Sequence, residues 1–366
     1  MKDAQIIVLA TPVFLLLIAI EFVAGLRRGR NTYRLNDALN SIGLGVMSQV
    51  AGVFSKLMAI GIYSLVFTHF SIWQWPADSP WVWLAALVMY DFCYYWLHRA
   101  GHRCALFWAA HVVHHQSEDY NLSTALRQTS SGWIAGWLFY LPMALLGVPP
   151  LVFAVVALVD LLYQFWVHTQ LVGRLGWFDR WFCSPSNHRA HHAVNDRYLD
   201  RNYGGILIVW DRLFGTFAEE DDAEPCVYGT RSPLRSWNPL WANLQVYADL
   251  ARDSWHTRRW ADKLGVWWRP PGWRPADVTA RFPKPAFDPA RLERFDPPMS
   301  RRATASALAL FAVVLGATTL FLWHAHAMGP ALQIAAAAGI VGALWLVGRV
   351  SEPGTRGRAD ASVAPI

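Results

Sequence analysis

Apolar runs long enough to cross a bilayer alternate along this chain with short arginine-bearing breaks. A membrane-crossing helix needs about 20 mostly apolar residues. Residues 5–26, 42–67, 81–97, 133–146, 149–167, 305–323 and 331–347 approach that length. The fourth run is short, and Gly147-Val148-Pro149-Pro150 joins it to the fifth. That break suits a helical hairpin, either crossing fully or dipping part-way. Residues 173–300 are too polar and too rich in Pro to span. Within them, 237–273 interleave Trp241, Leu244, Trp255, Trp260 and Leu264 with Arg and Asp. Such a pattern fits helices lying in the headgroup plane, or a cytosolic cap with an aromatic core. The expectation is an all-α integral membrane protein with about six to seven transmembrane helices and a cytoplasmic helical cap. It divides into N-terminal membrane helices at 1–80, a catalytic region of membrane helices and cap at 81–300, and a C-terminal helix pair with a polar tail at 301–366.

Composition strengthens the membrane reading. Hydrophobic residues make up 54% of the 366, and only 16% are charged, against about a quarter in soluble domains. Twenty-one Trp suit the boundary where an apolar ring and an N–H donor both find partners. The net charge of +6 would suggest nucleic acid in a soluble protein, but here arginines flank the spans, so no nucleic-acid partner is expected. All but Lys2 and Lys56 of the 32 basic residues fall in alternate loops or the tail, whereas 71–80, 148–150 and 324–330 carry none. The positive-inside rule puts the basic loops in the cytoplasm, with the N-terminus outside and the C-terminus inside. No cleavable leader pattern precedes the first run. Cys93, Cys104, Cys183 and Cys226 show no paired metal-ligand spacing.

Eight of thirteen histidines sit in three boxes: His98-Arg-Ala-Gly-His102, His111-Val-Val-His114-His115 and His188-Arg-Ala-His191-His192. Residues three and four apart share a helix face, so each box is expected to aim its imidazoles at one point. One His-x-x-His-His run should arise by chance about 0.02 times at this histidine frequency, and two far more rarely. Eight imidazoles exceed what one metal takes, which implies a dinuclear site at the cytoplasmic edge. Imidazole alone leaves Fe, Zn, Cu and Ni open.

In the fifth run Asp160, Gln164 and His168 form a polar stripe at i, i+4 and i+8. Polar groups there are costly unless they serve a site. His168 is thus a ninth ligand candidate, and Gln164 a ligand or a donor to one. Asp91 shares a face with His98 and His102; it either accepts a ligand's free N–H or locks helix packing by pairing with Arg or Trp. All nine histidines are the candidate catalytic and metal residues. A transporter or metal sensor is the alternative class, but the histidines cluster at one edge and form no path across.

The boxes, with Asp91-Phe-Cys-Tyr-Tyr-Trp-Leu-His98-Arg before the first, resemble the fatty acid hydroxylase and sterol desaturase superfamily. Further runs are similar to its alkylglycerol monooxygenase branch, notably His114-His115-Gln-Ser-Glu118-Asp119-Tyr120-Asn121, Tyr163-Gln164-Phe-Trp-Val-His168 and Asn202-Tyr203-Gly204-Gly205. The resemblance implies two iron ions (replaced by zinc in some purified material), O2, a membrane lipid substrate and hydroxylation beside a glyceryl ether oxygen. Fatty acid, sterol or carotenoid hydroxylation or desaturation is the alternative within the superfamily. It also implies tetrahydrobiopterin as reductant, whose cofactor contacts would be Arg103, Glu118 and Asp119. Animal members carry Glu where this chain has Arg103. That inverted charge points instead to a ferredoxin or cytochrome as redox partner. The Arg- and Ala-rich composition suggests a bacterial inner membrane.

Overall fold

The computed structural model describes residues 3–352; Lys2, Arg356, Arg358 and the rest of the polar tail lie outside the described residues. Ten principal helices order the chain: α1 (Asp3–Arg27), α2 (Leu35–Phe70), α3 (Pro80–Arg103), α4 (Ala105–His115), α5 (Pro150–Trp166), α6 (Pro185–His192), α7 (Pro239–His256), α8 (Trp260–Trp268), α9 (Arg301–His324) and α10 (Pro330–Ser351). Among the described residues there is no strand, only the isolated bridges Phe182–Leu207 and Ala193–Tyr228. Four stretches are long and apolar enough to cross a membrane: Ile7–Arg27, Leu35–Ser55, Arg301–Ala327 and Pro330–Ser351. The third and fifth apolar runs are helical as expected, in α3 and α5.

The run at 133–146 departs from expectation. It folds as two 3-10 turns, Gly132–Ile134 and Gly136–Tyr140, followed by the single α-turn Leu141–Leu145. Gly132 and Gly136 weaken the helix, and Pro142 removes a backbone donor from its last turn. The chain then reverses at Gly147, whose φ is +93° and where an added Cβ would lie 1.9 Å from the Trp73 carbonyl oxygen. Only glycine permits that approach. It lets the 71–75 loop bond to the reversal, Ile72 N–H to Leu145 O at 2.7 Å and Trp75 N–H to Gly147 O at 3.0 Å.

Two apolar clusters share α2. Its first half packs Leu39 and Val50 against Phe311, Phe321 and Leu344 of the C-terminal pair. Its second half places Tyr63 against Ala86, Met143, Val152 and Val156. At the end opposite the 71–75 loop, Arg28 donates to Leu171 O and Asn40 to Trp237 O. Gly348 of α10 also abuts the Trp237 carbonyl there. The α7–α8 hairpin covers this end, and α7 packs on α4. Asn238 caps α7 by accepting from Leu240 and Trp241 N–H. The outward faces of the hairpin leave Trp241, Leu244, Trp255, Trp260, Leu264 and Trp268 exposed.

Candidate metal centre

The nine histidines come together, but not box by box. His98, His102, His111, His115 and His191 form one group, and His114, His168, His188 and His192 the other. Within each group the ligand atoms lie within 4.8 Å of one another. The second and third boxes are therefore split, contrary to the expectation that a box serves one point. Positions i and i+4 stack on one helical line, whereas i+3 sits about 60° to its side. On α4, His111 and His115 face one group and His114 the other. On α6, His188 and His192 face the second group and His191 the first. Both short helices thus straddle the two groups, while α3 and the end of α5 each serve one.

Backbone carbonyls fix the ring orientations. His98 Nδ1 donates to Tyr203 O at 2.8 Å, His114 Nδ1 to Arg127 O at 2.9 Å, His168 Nδ1 to Gln164 O at 2.8 Å and His191 Nδ1 to Arg201 O at 2.8 Å. A carbonyl can only accept, so the single proton of each neutral ring sits on Nδ1 and leaves Nε2 as a bare lone pair. His114 and His168 nevertheless present their Nε2 atoms to each other at 3.2 Å. Lone pairs facing at that distance repel unless a cation lies between them. The Nε2 atoms of His102 and His191 are buried without a hydrogen-bond partner. Further Nε2 pairs, His98–His111 and His115–His111 at 3.0 Å and His188–His168 at 3.1 Å, match neighbouring ligands on one ion. At a metal–nitrogen distance of about 2.1 Å, right-angled ligands stand about 3.0 Å apart. Burial pushes the pKa values of His111, His115, His188, His191 and His192 well below the usual imidazole range, helped by neighbouring imidazoles. Burial takes His114 down to about 4. The rings are therefore neutral at physiological pH, the form a metal binds. The donor set fits two metal ions.

The loop after α6 supplies much of this support, and sequence reasoning gave it no role. Arg201 O and Tyr203 O hold His191 and His98. Asp200, in a left-handed conformation with φ 57°, sits 3.5 Å from His102 Nδ1. Asn202, also left-handed, ties the loop to Asn187, Thr216 and Ala218. Asp91 accepts from Ile206 and Leu207 N–H and from Trp210 Nε1, so it locks packing and touches no ligand histidine.

The other expected site residues scatter. Gln164 points its amide away from both histidine groups, accepting from Tyr94 OH at 2.7 Å and donating to Asp160 at 2.5 Å. Its carbonyl, not its side chain, holds His168. Glu118 and Asp119 are buried beside Arg34, at 3.6 and 3.0 Å. Glu118 also accepts from Phe295 N–H and Asp119 pairs with Arg294. Arg103 is mostly exposed, pairs with Asp200 at 3.3 Å, and lies apart from both acids. These three residues do not converge on one pocket.

A cavity of about 780 Å³ ends at the histidines. His98, His111, His114 and His168 close one end; the walls are mainly apolar, with Tyr90, Tyr94 and Gln164 among the polar residues that line them. Residues of α1, α2 and α9 line it together with those of α3, α4 and α5.

Residues 83–216 match the family model for fatty acid hydroxylase. The alkylglycerol monooxygenase of Homo sapiens is 40% identical over 267 residues, covering 73% of this chain and 59% of that protein. That of Danio rerio is 42% identical over 267 residues, with the same coverage of 73% and 59%. An ornithine lipid hydroxylase of Rhizobium tropici is 28% identical over 195 residues, 51% of this chain and 58% of that protein. The chain thus spans about three-fifths of the length of the curated relatives it matches. No solved structure matches. All nine histidines lie inside the matched residues, so 83–216 carry a fatty acid hydroxylase domain.

Proposed function

We propose that this chain is a membrane-bound, non-haem di-iron monooxygenase that hydroxylates a lipid at the carbon beside a glyceryl ether oxygen. The observation that carries the reading is the two-group, nine-imidazole donor set closing one end of an apolar cavity. Homology to alkylglycerol monooxygenases supports the ether lipid as substrate class. The overall change is R–H plus O2, two electrons and two protons giving R–OH and water. Hydroxylation beside the ether oxygen yields a hemiacetal that separates into a fatty aldehyde and a glycerol. His98, His102, His111, His115 and His191 would hold one iron, and His114, His168, His188 and His192 the other. Bound there, the irons would supply O2 activation for attack on an unactivated C–H bond.

The chain's own contribution is orientation and exclusion of water. The carbonyls of Tyr203, Arg127, Gln164 and Arg201 keep protons on Nδ1 and aim Nε2 inward. Apolar walls hold the alkyl chain in line with the histidines. The basic end, where the α7–α8 hairpin covers the site, is assigned to the cytoplasm by the segregation of arginines. Electrons come from a protein donor of the ferredoxin or cytochrome type, because Arg103, Glu118 and Asp119 are engaged within the chain and form no common pterin pocket. The test is turnover of an alkylglycerol under 18O2 with rapid trapping of the aldehyde. Aldehyde carrying 18O supports the reading. Hydroxylation or desaturation of an acyl chain with the ether left intact would move the substrate elsewhere in the family.

A further inference from the structure

The cavity extends well outside the hydroxylase domain. Thr11 and Pro12 of α1 and Gly316, Thr318 and Thr319 of α9 line it, far in sequence from residues 83–216. Pro12, Gly316 and Thr319 are also exposed on the outer surface of the helices, so the cavity opens sideways there. That surface belongs to two of the stretches apolar enough to cross the membrane. The opening therefore faces hydrocarbon and not water. Thr11 and Thr319 spend their hydroxyls on their own helices, bonding to Ile7 O and Leu315 O at 2.8 and 2.9 Å. Thr318 Oγ1, buried without a partner, is the one hydroxyl of the three threonines left unbonded, too little to receive a polar headgroup.

We propose that α1 and α9 form a lipid-facing portal and a chain-length-selecting end, whose occupant is the tail of a single long alkyl chain. The proposal rests on the lipid-oxidation reading only for what happens at the histidine end. Depth argues for an extended chain. Thr318 lies 17 residues into α9, about 25 Å of rise from its Arg301 end. That is enough for a tail drawn from one leaflet of a hydrocarbon core about 30 Å thick. Volume argues for one chain: about 780 Å³ lies within the range of pockets that take a single drug-sized ligand. A two-tailed phospholipid would leave its second chain in the bilayer, outside the portal. Gly316 marks the position that can set length. A Cβ built there meets nothing within 4 Å, so a bulky side chain at 316 has open space at the mouth of the cavity and would narrow it.

The test uses the full chain in lipid nanodiscs and a 1-O-alkylglycerol carrying a diazirine at its tail terminus. Photolysis should label peptides of α1 and α9. Gly316→Phe should abolish that labelling, whereas Gly339→Phe should not. Position 339 is equally open on α10 but does not line the cavity. In turnover, Gly316→Phe should lower the rate on an octadecyl relative to a decyl substrate by about tenfold or more, as filling a hydrocarbon pocket does. Labelling confined to the α7–α8 hairpin, labelling unchanged by Gly316→Phe, or none at all would overturn the portal. Labelling of α1 and α9 without oxidation of any alkylglycerol would support the portal and remove the ether-lipid reading.

Discussion

His114 shows how a single position on a helix decides which histidine group a ring joins. It stands next to His115 in sequence, yet its Nε2 faces His168, while His115 faces His111. The boxes made all eight histidines legible, and the polar stripe in the fifth run made His168 legible. Their partition was not, because helix spacing separates i+3 from i and i+4 but does not say which rings of different boxes meet. If the partition holds, His102→Ala should remove a ligand of the five-histidine group, and His192→Ala one of the four-histidine group. Both variants, and His115→Ala, should lose at least about 100-fold in turnover. They should still insert and elute as folded protein, since the helices do not depend on these rings for their apolar packing. Normal turnover in any one would remove that residue from the ligand set. Arg103 yields a second prediction. It holds Asp200 beside His102 and has only donors to offer, whereas a carboxylate could accept paired N–H groups of a pterin. Tetrahydrobiopterin alone should therefore support little oxidation of an alkylglycerol, and a ferredoxin system should support much more. Strong turnover of the wild-type protein with pterin alone would refute this, whatever Arg103→Glu then does.

Among the elements, long periodic helices were readable and interrupted ones were not. Hydropathy located α1, α9 and α10 closely, and placed the second run inside the 36-residue α2. It also suggested a helix at 133–146, where composition is apolar but Gly132, Gly136 and Pro142 favour separate turns. Averaging over a window conceals such breakers. The reversal that follows hangs on Gly147. Its positive φ and the 1.9 Å approach to the Trp73 oxygen leave no room for a methyl group. Gly147→Ala should destabilise the folded protein by more than about 1 kcal/mol, read as a lowered melting temperature in detergent. An unchanged melting temperature would mean that the 71–75 loop does not need this close contact. Trp255, Trp260 and Trp268 of the α7–α8 hairpin are exposed, a side-chain placement that helices in a headgroup plane would need. The alternative of a cap with an aromatic core does not describe these three, which are among its most exposed side chains.

The whole molecule places chemistry at one end and a plain loop at the other. Arginine segregation, read from sequence, predicted two unlike ends; the structure puts the 71–75 loop and Gly147 at one and the histidines near the other. A reporter inserted at Ala77 should therefore read external, and one between α7 and α8 cytoplasmic. A cytoplasmic signal at Ala77 would invert the orientation and move the metal centre with it. What sequence did not reveal was that α1 and α9, about 275 residues apart, both wall the cavity, because contacts between such distant segments leave no local pattern. Nine imidazoles, seven of them buried and His111 and His114 half-buried at the cavity wall, are expected to hold two ions. Metal content of protein purified from iron-replete cells measures this most directly. Two ions per wild-type chain are expected, iron or the zinc that can replace it, and one remaining in His98→Ala or in His188→Ala, which lose opposite sites. One ion or none in the wild-type chain would contradict the dinuclear centre.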